Sequence, residues 1–257
     1  MRHAIVRPPG ASFIRAISSQ GVAIDVELAQ AQHREYCQAL AEAGVTVEAL
    51  PPDERFPDSC FMQDPAMVIR GRAIINRPGA ASRLGEEEAL AALLADRFPV
   101  SRIVAPGTLE GGDVMILPDR VLVGRSERTN RAGVAQLVVA LSDARAGEPV
   151  PALPVLEAPV RGYLHLLSAA THLGENTILA AEDYADHPLF AGMTVLRVPP
   201  AETYAVNVLA AGARVIAPAG YPGVHALLRS HGFEVIPVPV SEFAKADGGV
   251  TCLALVW

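Results

Sequence analysis

Short apolar runs pair across tight turns in this chain, and the stretches between them carry apolar residues at helical spacing. Ala66-Met67-Val68-Ile69, a turn at Arg70-Gly71-Arg72 and Ala73-Ile74-Ile75-Asn76 predict a hairpin. A helix follows over about Ser82 to Arg97, with Glu86, Glu87 and Glu88 in its early turns and Leu90, Leu93 and Leu94 on one face. The short strand Arg102-Ile103-Val104 ends the unit. The same word recurs as Asp113 to Leu117, a turn at Pro118-Asp119, Arg120 to Val123, a helix capped by Thr129 and the strand Leu153 to Leu156. That helix carries Val134, Leu137, Val138 and Leu141 at i, i+3, i+4 and i+7. A third copy reads Leu164 to Ala169, Gly174, Thr177 to Ala181, a short helix near Asp183 to Phe190, and Thr194 to Val198. A fourth reads Asn207 to Ala210, Gly212, Arg214 to Ala217, a helix started by Pro222 and stopped by Gly232, and Glu234 to Val238. The chain ends supply Ile5-Val6, a helix from about Val26 to Ala43 with Gly44 as its stop, Val45-Thr46-Val47, and a closing strand Val250 to Val256.

The pattern is a ββαβ unit used about five times, with a period of roughly 40 to 55 residues. Fixed-period self-similarity implies stacked or radial units sharing one core. The last strand has no hairpin partner of its own, so it is expected to complete the unit begun by the N-terminal segment. No Gly/Ser-rich linker or break in composition divides the chain, which predicts a single α/β domain over residues 1–257.

Polar residues interrupt the apolar strands at matching phases. Asp64 precedes the first hairpin and Glu110 the second; His165 sits within the third, Asn207 opens the fourth, and Cys252 lies in the closing strand. Their spacings are 46, 55, 42 and 45 residues. Equivalent positions in a radial repeat meet near its axis, so these five are expected to converge on one cavity. A thiolate is a strong side-chain nucleophile near neutral pH. A histidine can protonate a departing amine and then deprotonate a water. A carboxylate behind it fixes the tautomer, and a second can hold a cation. An amide site needs oxyanion donors, whereas a guanidinium needs carboxylates on its N–H groups, so this set suits a guanidinium carbon. Each residue alone has an ordinary reading: a core cysteine, a hydrogen-bonded core histidine, a Gly-Gly turn at Glu110-Gly111-Gly112-Asp113. The shared phase links them.

Composition narrows the field. Apolar residues make up 51% and aromatics 5%, an aliphatic excess that fits buried α/β strands. Net charge is −7, and Lys245 is the sole lysine among 21 basic residues; sign and scatter both argue against a nucleic-acid partner. Three cysteines and no CxxC exclude a disulfide framework or thiolate zinc knuckle, and the histidines show no HxH or HExxH spacing, so no metal is expected. Cys37 reads as helix packing, and Cys60, beside two acids, is a poor candidate nucleophile. The N-terminus has no signal-peptide core, and no apolar run reaches about 18 residues. A cytoplasmic protein without membrane partners is the resulting expectation, as a monomer or homodimer.

The sequence resembles the dimethylarginine dimethylaminohydrolases, within the guanidine-modifying superfamily. The resemblance rests on Leu50 to Ser59, Asp64, Arg77-Pro78-Gly79-Ala80-Ala81-Ser82-Arg83, Leu109-Glu110-Gly111-Gly112-Asp113-Val114, Arg128-Thr129-Asn130, Leu164-His165-Leu166 and Gly248-Gly249-Val250-Thr251-Cys252. It implies a five-bladed α/β propeller of ββαβ units. It also implies Cys252 as nucleophile, His165 as acid/base and Glu110 as the group that orients His165 and touches the guanidinium. Asp64 would bind the guanidinium nitrogens, Arg83 and Arg128 the substrate α-carboxylate, Asp58 the α-amine, and Phe13 would offer that amine a backbone carbonyl. The implied reaction takes a mono- or dimethylated arginine to citrulline and a methylamine with no cofactor. Gln63, where close relatives often carry an acid, and Phe13, in place of a leucine, depart from the family pattern without removing a catalytic group. The rivals are an arginine deiminase or amidinotransferase, a non-catalytic propeller like the ribosome anti-association factor, and a sensor of arginine derivatives.

Overall fold

The structure, a computed structural model, describes residues 2–142 and 153–257. In chain order its elements begin with β1 (Arg2–Val6), α1 (Val26–Glu42) and β2 (Val45–Ala49), then β3 (Ala66–Ile69), β4 (Arg72–Ile75), α2 (Glu87–Ala95) and β5 (Val100–Arg102). Next come β6 (Val114–Ile116), β7 (Val121–Arg125), α3 (Arg131–Ser142) and β8 (Val155–Pro159). A one-turn α4 (Leu166–Ala169) leads into β9 (Ala170–Gly174), β10 (Thr177–Ala181) and β11 (Thr194–Val198). The rest is β12 (Leu209–Ala211), β13 (Arg214–Pro218), α5 (Pro222–Ser230), β14 (Glu234–Val238), α6 (Ser241–Ala244) and β15 (Ala254–Val256).

These strands form five three-stranded sheets among the described residues. In every sheet the central strand pairs antiparallel with one neighbour and parallel with the strand that follows it. A parallel return needs a crossover, and α1, α2, α3 and α5 supply it in four of the five. The fifth crossover, between β10 and β11, carries only a 3₁₀ turn at Pro188–Phe190, where the sequence predicts a short helix from Asp183. The closing strand behaves as expected: β15 pairs antiparallel with β1, Val256 opposite Ala4 and Ala254 opposite Val6.

Residues cluster into two compact units, 1–63 with 167–257, and 64–166. The first holds the sheets β15-β1-β2, β9-β10-β11 and β12-β13-β14. Its main core includes Val6, Phe13, Tyr36, Leu40, Phe61, Phe243 and Leu253, and α1 packs there through Ala29, Tyr36, Ala39 and Leu40. Asp25 caps α1 by accepting the Leu28 N–H, and Gly44 ends it at φ 82°, a left-handed conformation that costs a glycine little. The second unit holds β3-β4-β5 and β6-β7-β8 around Ile74, Leu109, Val121, Val123 and Leu137. No described helix is long and apolar enough to cross a membrane.

Several boundaries move. The helix expected over Ser82 to Arg97 shortens to α2, and a 3₁₀ turn at Ala81–Arg83 precedes it. Gly85 separates the two at φ 104°. Asn130, not Thr129, caps α3, its side chain accepting the Gly133 N–H at 2.8 Å. The strands expected at Arg102–Val104 and Leu153–Leu156 are observed at Val100–Arg102 and Val155–Pro159.

Candidate active site

The polar residues that share a repeat phase all lie in the turns that lead into the first strand of a sheet, not within the strands. His165 stands just before α4, and Cys252 sits in a 3₁₀ turn, Thr251–Leu253, ahead of β15. Asn207 precedes β12. The cause lies in long-range contacts: buried side chains capture backbone N–H groups that a strand would spend on its ladder. Asp113 Oδ1 takes the Leu166 N–H at 3.0 Å, and Asn207 Oδ1 takes the Thr251 N–H at 2.8 Å.

In the unit of residues 64–166, Asp64, Glu110 and His165 come together with all three buried. His165 Nε2 lies 2.8 Å from Glu110 Oε2, and Glu110 Oε1 accepts the Gly79 N–H at 2.8 Å. Asp64 Oδ1 accepts the Gly112 N–H at 3.0 Å, and its Oδ2 accepts from Arg83 Nη1 at 2.8 Å. Each carboxylate oxygen therefore already faces one donor in a hydrogen-bonded network and keeps a second lone pair for another. Gly112 permits the packing: a Cβ there would lie 2.6 Å from His165 Nδ1 and 3.1 Å from Asp64 Oδ1.

Burial alone would push the His165 imidazole down, but Asp64, the Glu110 hydrogen bond and Asp113 outweigh it and lift the pKa to about 9. Burial opposes the Asp64 carboxylate as well, yet His165, Arg83 and the Gly112 N–H hold its pKa below the ordinary value. The unit thus favours an imidazolium beside a carboxylate at neutral pH.

Arg83 is buried, with Nε and Nη2 both on Glu86 Oε2 at 3.0 and 2.8 Å. In the sequence Glu86 is only an acid in a helix's first turn, and its spacing of three from Arg83 is the one signal of the pair. Arg128 is half-buried, and its guanidinium makes no hydrogen bond or ion pair among the described residues. Gly79 lets the chain run against it, since a Cβ there would meet the Arg128 carbonyl oxygen at 2.6 Å.

In the other unit, the Cys252 turn is held from several sides. Gly249 N–H points at Cys252 Sγ at 3.3 Å, and the Cys252 carbonyl accepts the Gln63 N–H at 3.1 Å. Asn207 Nδ2 donates to Thr251 Oγ1 and to the Leu167 carbonyl, both at 3.0 Å, while the Thr251 hydroxyl donates to Gln63 Oε1 at 2.9 Å. Gln63 here is a neutral clamp on the cysteine turn. Cys252 is half-buried, whereas Cys60 is fully buried. Burial pushes the Cys37 thiol up to about 11, with its sulfur 3.6 Å from His33 Nδ1, as packing cysteines behave.

Asp58 is buried and accepts the Ile17 N–H at 3.1 Å. Phe13, in the 3₁₀ turn Ala11–Arg15, packs against Phe243 and Phe61 with ring centroids 5.5 and 5.9 Å away, and its carbonyl accepts the Ala16 N–H at 2.9 Å. Glu54 pins the same turn by accepting the Ala11 and Ser12 N–H groups at 2.8 and 2.7 Å.

Comparison with known proteins adds to this geometry. A family model described as arginine deiminase matches residues 54–198. A Pseudomonas aeruginosa protein named N(G),N(G)-dimethylarginine dimethylaminohydrolase is 38% identical over 99% of this chain and 98% of its own. The chain belongs to the dimethylarginine dimethylaminohydrolase family. Two solved structures of such enzymes superpose with TM-scores of 0.94 at 37% identity, covering 99% of this chain and 98–99% of theirs. One is a cysteine-to-serine mutant of the Pseudomonas aeruginosa enzyme complexed with citrulline, the other a histidine-to-glycine mutant as an adduct with S-methyl-L-thiocitrulline. The chain shares their fold, a mixed α/β architecture whose five small sheets agree with the five repeats expected from the sequence.

For a dimethylarginine dimethylaminohydrolase family member, the Asn207 clamp has a testable consequence. Asn207→Ala removes two donated bonds and one accepted bond from a buried turn, which should lower the unfolding free energy by about 1–3 kcal/mol. Iodoacetamide labelling of Cys252 in the folded variant should slow relative to wild type, because the Gly249 N–H is no longer held on the sulfur. An unchanged labelling rate would show that the clamp does not set the thiol's environment.

Proposed function

We propose that this chain hydrolyses Nω-methylated L-arginine to L-citrulline and methylamine or dimethylamine through a covalent intermediate on Cys252, with one catalytic domain spanning residues 1–257. The observation that carries the reading is the buried Asp64–Glu110–His165 network, whose imidazole is held protonated by carboxylates. In the reaction, the Cys252 thiolate attacks the guanidinium carbon. The tetrahedral adduct then expels the methylated amine, which takes its proton from His165. This leaves an S-alkylthiouronium. Water gives one proton to His165 and attacks the same carbon; the adduct's hydroxyl then loses its proton to solvent, where the freed amine takes it up, as the C–S bond breaks to release citrulline and restore the thiolate. Atoms balance with one water consumed per amine released, and no redox cofactor is called for.

Glu110 keeps the His165 tautomer by accepting from Nε2, which leaves Nδ1 as the working nitrogen. Asp64 supplies a carboxylate for the substrate guanidinium. Arg128, half-buried with a guanidinium not engaged by the described residues, suits the substrate α-carboxylate, and Arg83 assists beside Asp64. Asp58 and the Phe13 carbonyl would take the α-amine. The two matching structures, one holding citrulline and one a thiocitrulline adduct, support a small arginine-like ligand.

The family model described as arginine deiminase keeps plain arginine in view as a second substrate. Side-by-side assays of citrulline and amine release from arginine and its mono- and dimethylated forms decide between them. The methylated forms are expected to have the higher kcat/KM; one methyl is worth roughly 1–3 kcal/mol, so the margin should be about 10–200-fold. Faster ammonia release from arginine would overturn the substrate assignment.

A further inference from the structure

Asp113, the second acid of the Glu110-Gly111-Gly112-Asp113 stretch, has no role in the reaction as described, yet it is completely buried and accepts from several directions. Its Oδ1 takes the N–H of Leu166, the residue after His165, at 3.0 Å. Its Oδ2 takes the Ser126 hydroxyl at 2.6 Å, and the Thr129 hydroxyl also donates to it. Ser126 Oγ in turn accepts the Arg128 and Thr129 N–H groups at 3.0 and 3.3 Å. Thr129 Oγ1 accepts the Glu110 N–H at 3.1 Å. One carboxylate therefore ties together the backbones that carry His165, Arg128 and Glu110.

The pocket for this carboxylate is built for it. Gly124 lies beside it in β7, and a Cβ there would come within 3.0 Å of Asp113 Oδ1, 2.8 Å of Leu166 Cβ and 2.5 Å of Val160 Cγ2. Burying a carboxylate is costly, and a merely structural turn could be held by neutral groups. The charge matters because of what it faces. The groups around the imidazole are Asp64 and Glu110, with Arg83 behind Asp64, and Asp113 adds a further negative charge.

We propose that Asp113 is a positioning residue of the catalytic unit, which fixes His165, Glu110 and Arg128 relative to one another and sets its carboxylate near the imidazole. The proposal rests on the functional reading above for its kinetic consequences, but its effect on His165 stands apart from that reading.

The test is Asp113→Asn in the full chain, which keeps the shape and an acceptor for the Leu166 N–H while removing the charge. NMR titration of the His165 ring is expected to show a pKa lowered by roughly one unit, with the melting profile still cooperative. Citrulline formation is expected to show kcat reduced about tenfold or more, with an alkaline limb moved to lower pH by the same amount. Ser126→Ala is the second variant, and it also serves if Asp113→Asn does not fold. It removes the Ser126 link between Asp113 and the Arg128 turn and leaves the Leu166 and Thr129 bonds in place, so KM should rise several-fold while the His165 titration stays where it is. A folded Asp113→Asn chain with an unmoved His165 titration overturns the proposal, as does a Ser126→Ala chain with unchanged KM. If wild type makes no citrulline from methylarginines, the functional reading fails instead, and the His165 titration still decides the electrostatic part.

Discussion

Replacing Cys252 by serine is expected to abolish citrulline formation, by on the order of 10⁴-fold or more in kcat, while leaving the fold in place. The swap is nearly isosteric, and the bonds that shape the turn run through the Thr251 N–H, the Thr251 hydroxyl and the Cys252 carbonyl, none of which serine removes. What serine removes is the anion. A thiolate forms near neutral pH and attacks directly, whereas a hydroxyl needs a base to take its proton at the moment of attack. His165 is poorly suited to that duty, since its neighbours keep it protonated to about pH 9. Rapid-quench mass spectrometry of wild type with a methylated arginine should find an adduct on Cys252 and on neither Cys37 nor Cys60. Those two are poor nucleophiles for stated reasons: burial pushes one thiol up, and the other is sealed in the core. Turnover retained in Cys252→Ser, or an adduct on another cysteine, would remove the nucleophile from the mechanism.

How far the sequence could be read depends on which bonds do the work. The five sheets were legible because apolar strands leave short runs bounded by glycine and polar pairs; the hairpin at Val114–Val123 turns at Pro118-Asp119 as expected, whereas the one at Ala66–Ile75 turns one residue tighter, with Ile69 opposite Arg72. The closing pair of β15 and β1 followed from counting, since a strand without a hairpin partner must find one. The phase of Asp64, Glu110, His165, Asn207 and Cys252 was also legible, but their backbone state was not. A histidine between Leu164 and Leu166 looks like a strand residue until Asp113, far back in the chain, is seen to take the next N–H. Likewise Asn207 turns an apolar C-terminal run into a 3₁₀ turn by capturing the Thr251 N–H. Captures of this kind are long-range and leave no period in the sequence. The Arg83 fork on Glu86 and Asp64 is hidden for the same reason. Arg83 and Glu86 are close in the chain, but Asp64 lies on an earlier turn.

His165→Gln should lower kcat by about 10²- to 10⁴-fold, because the departing amine then leaves without a positioned proton. Glutamine can still meet Glu110 through its amide N–H, so the loss reports proton transfer more than packing. The wild-type pH profile gives the same group a second signature. A histidine pKa raised from 6.5 to about 9 means that the folded state binds the proton more tightly than the unfolded chain. Its contribution to stability is therefore fully present below about pH 6.5 and is lost as pH rises through about 9. The kcat/KM profile reports the free enzyme, so its alkaline limb should fall near pH 9 and be absent in the glutamine variant's residual rate. Bound substrate is itself a cation facing the imidazolium. Like charges disfavour the protonated ring, so the corresponding limb in kcat should sit at lower pH than the limb in kcat/KM. That ordering serves both halves of the reaction: the free enzyme stores the proton it must donate, and the occupied site makes the imidazole readier to release it. A kcat limb at or above the kcat/KM limb would mean that the bound cation does not disfavour the imidazolium, and would place the acid elsewhere.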